Sequence, residues 1–187
     1  MLKRKVYQEL LKWKENTEGK ALYIIGARQI GKTTLIREFG KNEYEHFAEI
    51  NFVTDEKAAD IFNDKLTAEA IITNLTAYLQ TPLEPGKTLI LFDEVQECPA
   101  VRSAIKFLVE DGRLDYIESG SLLGVRYKEV KSYPVGFEQI LPMYPLDFEE
   151  YLWANGVQDK TLQYLKTCYD RKEKVSDAVH ETLCKLF

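Results

Sequence analysis

Short apolar runs alternate along the chain with longer stretches whose apolar positions recur at helical spacing. Val6, Leu10, Leu11 and Trp13 mark a first helix, closed by Glu18-Gly19. Ala21-Leu-Tyr-Ile-Ile25 is a continuous apolar run of the kind a buried parallel strand shows. A helix carrying Leu35, Ile36 and Phe39 follows and is expected to stop at Gly40. His46 to Val53 alternates through Phe47, Ile50 and Phe52 like a second strand. Thr67 is a fitting N-cap for a helix with Ala68, Ile71, Ile72, Leu75 and Leu79 on one face. After a Pro/Gly turn over residues 81–86 comes a third strand, Thr88 to Phe92, running into Asp93-Glu94. Pro99 suits the first turn of a helix with Val101, Ala104, Ile105 and Leu108 inward, ending at Gly112. Leu114 to Glu118 reads as a fourth strand leading into Ser119-Gly-Ser121, and a fifth falls between Phe137 and Tyr144. Asp147 and Glu150 then form a D-x-x-E capping box, Gly156 ends that helix, and the remainder is helical and more polar.

Strands that alternate with helices predict an α/β fold: a parallel sheet of about five strands with helices on both faces. Ligands on such sheets bind beyond the carboxyl ends of the strands. The loops at positions 26, 93 and 119 each follow a strand, so they should meet on one edge.

Gly26-x-x-x-x-Gly31-Lys32-Thr33 is a P-loop pattern with a strand before it and a helix after it. At average residue usage the pattern alone arises by chance in about one chain in 150 of this length. The glycines let consecutive N–H groups turn inward around phosphate oxygens, and the helix that starts near Lys32 adds the positive end of its dipole. The nucleotide-binding candidates are Gly26, Ala27, Arg28, Gln29, Ile30, Gly31, Lys32, Thr33 and Thr34. In this pattern Lys32 reaches the β and γ phosphates, and the Thr33 hydroxyl ligates Mg²⁺. Asp93 stands at the tip of a buried strand, where an acid is costly to desolvate unless it is paired, coordinated or at the open edge. It is the second candidate metal ligand, with Glu94 beside it as the general base that polarises water. Without a P-loop, the two acids would read merely as a loop cap. Ser119 and Ser121 are candidate sensors of the γ-phosphate; the competing reading is a Ser-Gly-Ser turn. Nothing in the spacing of Arg28, Arg102, Arg113 and Arg126 singles out a catalytic arginine, and His46 and His180 are read as having no Cys, Asp or His partner at ligand spacing.

Four segments taken together resemble a known family: Gly26-Ala-Arg-Gln-Ile-Gly-Lys-Thr-Thr34, Leu-Ile-Leu-Phe-Asp-Glu-Val-Gln96 with Cys98-Pro99, Ser119-Gly-Ser-Leu-Leu123, and Tyr144-Pro-Leu-Asp-Phe-Glu-Glu-Tyr-Leu152. The chain is similar to the prokaryotic AAA-type P-loop ATPases that carry a second, C-terminal domain. The resemblance implies an ASCE-type core that binds ATP and Mg²⁺, with Lys32, Thr33, Asp93 and Glu94 at the family's active positions. Many members have Thr-Gly-Ser where Ser119-Gly-Ser121 stands, and Gly-Arg where Gly136 is followed by Phe137, so no arginine finger is carried over. On this reading residues 1–187 are one ATPase domain: a helix over 1–20, a core over 21–145, and C-terminal helices over 146–187 that lead toward a second domain.

Composition narrows the classes. Hydrophobic residues make up 45% and charged residues 29%, which is globular and not disordered. With 25 basic against 30 acidic residues the net charge is -5, so nucleic acid is not indicated as a partner. The longest apolar runs are about five residues, far from the ~20 that cross a bilayer, and the basic start lacks an apolar signal segment. Cys98, Cys168 and Cys184 show no C-x-x-C spacing, which fits reduced thiols and a cytoplasmic setting. Val175, Ala178, Val179, Leu183 and Leu186 form an apolar stripe with two readings: it packs on the ATPase core, or, left uncovered, it lets the chain self-associate through Val179 and Leu183. The expected function is ATP hydrolysis coupled to a conformational change in a further domain or partner. A nucleotide switch with negligible hydrolysis and a small-molecule kinase are the alternatives. The Asp93-Glu94 pair speaks against the kinase, and no guanine-recognition motif supports a GTPase.

Overall fold

Five strands, β1 (Ala21–Gly26), β2 (His46–Asn51), β3 (Thr88–Asp93), β4 (Asp115–Ser121) and β5 (Glu138–Met143), pair in parallel in the order β2-β3-β4-β1-β5. The computed structural model describes residues 2–15, 19–63, 67–121 and 136–186. The expected end of the first helix at Glu18 therefore lies outside the described residues, as does Arg126. The described helices are α1 (Val6–Glu15), α2 (Lys32–Glu43), α3 (Ala68–Leu79), α4 (Pro99–Asp111), α5 (Phe148–Ala154), α6 (Asp159–Arg171) and α7 (Asp177–Cys184).

Residues 6–145 form one compact unit. Side-chain alternation along its strands builds two cores, one on each face of the sheet. Leu22, Ile24, Leu89, Leu91 and Ile117 pack with Leu35, Ile36 and Phe39 of α2 and with Leu10 and Trp13 of α1. On the other face, Ala21, Tyr23, Ile90, Phe92 and Tyr116 meet Ile71 and Leu75 of α3 and Val101, Ile105 and Leu108 of α4. Helices thus cover both faces, as the alternating pattern predicts. Residues 1–5 and 146–187 form a second compact unit. Within it the capping box of α5 is present, with Asp147 accepting from the Glu150 N–H and Glu150 accepting from the Asp147 N–H. The Lys5 N–H also donates to Glu150 (2.7 Å). Val175, Val179, Leu183 and Leu186 are half-buried and Ala178 is exposed. Val179, Leu183 and Leu186 line a cavity of about 330 Å³ with Val157 and Thr161, so the stripe is partly covered inside this unit.

One local expectation is corrected, one open alternative is decided, and one element is new. Gly40 does not end α2, which runs on to Glu43. A Cβ on Gly40 would stand 2.2 Å from the Phe47 ring, so the glycine admits a neighbour and stops nothing. Ser119-Gly-Ser121 is the end of β4 and no turn, because β1 pairs with it through Ser121. A 3₁₀ helix over Glu56–Phe62, which buries Ala58, Ile61 and Phe62, has no counterpart in the periodicity reading.

Candidate functional site

The carboxyl ends of β1, β2, β3 and β4 carry the polar groups that the sheet brings together. Gly26 closes β1, and Gly31 (φ +91) turns the chain into α2, whose first bond runs from the Leu35 N–H to the Gly31 carbonyl (3.0 Å). That left-handed turn is the conformation only glycine adopts at no steric cost. Between the two glycines Ala27, Arg28 and Gln29 are exposed, and Ile30 tucks against the core. Thr34 is exposed as well.

Lys32 is buried, and its ammonium donates to the carbonyls of Gly26 (3.1 Å) and Ala27 (2.7 Å), which places a positive charge inside the loop. Burial pulls its pKa below the usual 10.5, whereas the Glu94 and Asp93 carboxylates push it back up.

Asp93 is 1% exposed at the end of β3. Its carboxylate accepts from the Thr33 hydroxyl (3.0 and 3.2 Å), the Asn51 amide (2.9 Å) and the Ser119 hydroxyl. A buried carboxylate needs such donors to offset its lost hydration. Glu94 sits in a left-handed backbone conformation (φ +57), and its carboxylate accepts from the Gln96 amide. The Gln96 carbonyl oxygen in turn accepts from the Ser121 N–H (3.4 Å).

Lys32, Thr33, Asp93, Glu94, Ser119 and Ser121 therefore lie in one connected neighbourhood. Two members have no role in the reading of the sequence. Asn51 faces Asp93 because it is the register partner across β2 and β3, and its own oxygen caps the Val53 (3.0 Å) and Thr54 (3.2 Å) N–H groups. Gln96 stands within the quoted motif, but its bond to Ser121 depends on β4 lying beside β3. Strand order is the signal that finds both.

The arginines separate. Arg28 is exposed on the loop. Arg113 pairs with Asp111 (2.6 Å) and Glu69 (2.8 Å). Arg102 is buried and donates to Glu138 (2.6 Å), has Glu118 at 3.8 Å, and lies 4.0 Å from the centre of the Tyr23 ring. Burial and the neighbouring Glu138 raise the Glu118 pKa, and burial pushes Tyr23 up to about 12. His46, without a partner in the sequence reading, bonds to Glu84 (3.2 Å) near Glu45. Lys87 already pairs with both acids (3.1 and 3.3 Å), so this is an ion-pair cluster on the surface. Cys98, Cys168 and Cys184 are free thiols. Among the described residues no helix is long and apolar enough to cross a membrane.

A family model described as AAA domain matches residues 18–152. No match was found among curated proteins. The fold recurs in 244 chains of solved structures, so likeness of fold selects no single activity. One of them, the Pif1 helicase from Candida albicans, shares 14% identity at a TM-score of 0.51. The similarity takes in 99% of this chain and 48% of the helicase chain, so the present chain spans about half of that protein. At that identity the likeness is one of fold. The family match covers more than half of the residues, and it agrees with the parallel sheet and with the loop between β1 and α2. The chain belongs to the AAA domain family.

Proposed function

We propose that this chain binds ATP with Mg²⁺ and hydrolyses it, coupling turnover to a conformational change in a further domain or partner. The observation that carries the reading is the meeting of Lys32 with Asp93 and Glu94 at one sheet edge: a cationic loop beside two acids, one buried and one in a strained turn. The backbone N–H groups between Gly26 and Lys32 would cradle the phosphates, and Lys32 would neutralise their charge.

Thr33 and Asp93 offer hard oxygen donors within 3.0 Å of each other, a set that suits Mg²⁺. Bound there, Mg²⁺ would supply charge neutralisation on the phosphate oxygens. Asn51 and Ser119 hold the Asp93 carboxylate in place from two sides. Glu94 would take the proton from the attacking water. Ser119 and Ser121, buried at the end of β4, would sense the terminal phosphate. A glutamate placed to activate water beside the metal-holding acid favours hydrolysis over transfer to a small-molecule acceptor. The neighbouring fold is that of a helicase, yet 30 acidic against 25 basic residues leave nucleic acid outside the proposal.

ADP formation and phosphate release, measured together with and without candidate acceptors, test the reading. Hydrolysis predicts acceptor-independent release that Glu94→Gln lowers about 10²–10⁴-fold while nucleotide binding persists. ADP formed only when an acceptor is present, with no free phosphate, would make the chain a kinase. Binding with no ADP formed would make it a switch.

A further inference from the structure

Gln96 joins Glu94, the acid that follows β3, to the end of β4 at Ser121. Its amide donates to the Glu94 carboxylate on one side and accepts on the other from a backbone N–H, which can only donate. The orientation is therefore fixed: Nε2 toward Glu94, Oε1 toward Ser121. No other rotamer of the amide satisfies both partners.

Two further features fit this bridge. Glu94 occupies a left-handed backbone conformation (φ +57, ψ 46), which a residue with a Cβ holds only when its surroundings impose it. The Gln96 amide and the bond from the Glu97 N–H to the Glu94 carbonyl (3.0 Å) are two such constraints. Across the bridge, a Cβ on Gly120 would lie 3.1 Å from Gln96 Oε1 and 2.7 Å from the Tyr23 hydroxyl. Glycine at that position leaves the space in which the amide lies against β4.

We propose that Gln96 is the positioning residue for Glu94, tying its carboxylate to the Ser121 N–H so that the base and the end of β4 move as one. The inference deepens the proposed hydrolysis and rests on it. Water activation depends on where the Glu94 oxygen stands, and a misplacement of about 1 Å can cost ~10²-fold in rate. Gln96 touches no reacting atom in this account and acts only through Glu94.

The test compares the wild-type chain with Gln96→Met and Gln96→Glu. Turnover is followed by phosphate release, and binding by the ATP·Mg²⁺ shift of the melting midpoint. Gln96→Met keeps the length and loses both hydrogen bonds: kcat is expected to fall ~10–10²-fold with the midpoint shift retained. Gln96→Glu keeps the acceptor for Ser121 but replaces the donor to Glu94 with a second carboxylate, and its kcat is expected to fall at least as far. A merely structural role would lower the melting midpoint and raise KM along with the loss of kcat, whereas a positioning role lowers kcat with KM within twofold of wild type. Gln96→Met turning over within twofold of wild type, or a rise in KM that accounts for the whole loss in both variants, overturns the inference while hydrolysis stands. Wild-type release no greater than that of Lys32→Ala would overturn both.

Discussion

The two glycines of the P-loop serve different physical ends, and substitution should separate them. Gly26 pairs in register with Met143 across β1 and β5. A methyl group there would stand 2.4 Å from the Met143 carbonyl oxygen and 2.7 Å from Ile30 Cδ1. A carbon–oxygen contact needs about 3.3 Å, so strand or loop must shift by roughly 1 Å. The Ile30 methyl can swing away, but the backbone carbonyl is fixed by its ladder. Overpacking of this kind costs ~1–3 kcal/mol, which at this chain length lowers the melting midpoint by about 2–12 °C. Gly31 has open space around it, and its constraint is φ +91. Ala there costs ~1–2 kcal/mol through backbone strain alone. The ranking should invert between the sites. At Gly26, Ala is tolerated better than the larger Asn. At Gly31, Asn is tolerated better than Ala, since Asn enters the left-handed region more readily. Differential scanning fluorimetry on the four variants decides it. Gly26→Ala melting with wild type, or Asn being the milder change at both sites, would refute the reasoning.

Other outcomes follow from named contacts. In Gly40→Ala the usual gain of about 1 kcal/mol in helix propensity should be reversed by the Phe47 ring. The change should become stabilising in a Phe47→Ala background, and stabilisation in the wild-type background would contradict the close-approach argument. The raised Glu118 pKa means that the folded state holds a proton the unfolded chain has lost. Stability should therefore fall as pH climbs from about 4.5 through the raised value. Glu118→Gln should melt above wild type at pH 8, with the gap closing toward pH 4; a pH-independent gap would remove Glu118 as its cause. Self-association through the half-buried stripe should appear as a concentration-dependent size in light scattering. Val179→Lys with Leu183→Lys should then give a monomer with an unchanged midpoint, whereas unfolding of the pair would assign the stripe to its own unit's core.

The strands were legible because parallel strands buried on both faces read as unbroken apolar runs, as in Leu89 to Phe92. The loop at Gly26–Thr33 was legible because its glycines, lysine and threonine are adjacent in sequence. What escaped depends on contacts between distant residues. Gly40 carries the local mark of a helix stop, and only the Phe47 ring reveals its purpose. Ser119 to Ser121 has turn composition, but a central strand with hydrogen-bonded neighbours overrides it. Asn51 reaches Asp93 across 42 residues, and Gln96 reaches Ser121 across 25. Arg102 could be placed on α4 from periodicity, but its burial between Glu118 and Glu138 needed β4 and β5 in position. His46 likewise met Glu84 only through the fold.

The central claim, that the loop carrying Lys32 binds ATP with Mg²⁺, is tested most directly by the melting midpoint with and without that ligand in wild type and Lys32→Ala. Ligand at ~100 times its dissociation constant adds about 2.7 kcal/mol. At this chain length that raises the midpoint by about 5–11 °C. The account predicts this rise in wild type and its loss in Lys32→Ala, whose ammonium no longer sits against Gly26 and Ala27. No rise with millimolar ATP·Mg²⁺, or an equal rise in both proteins, would contradict it.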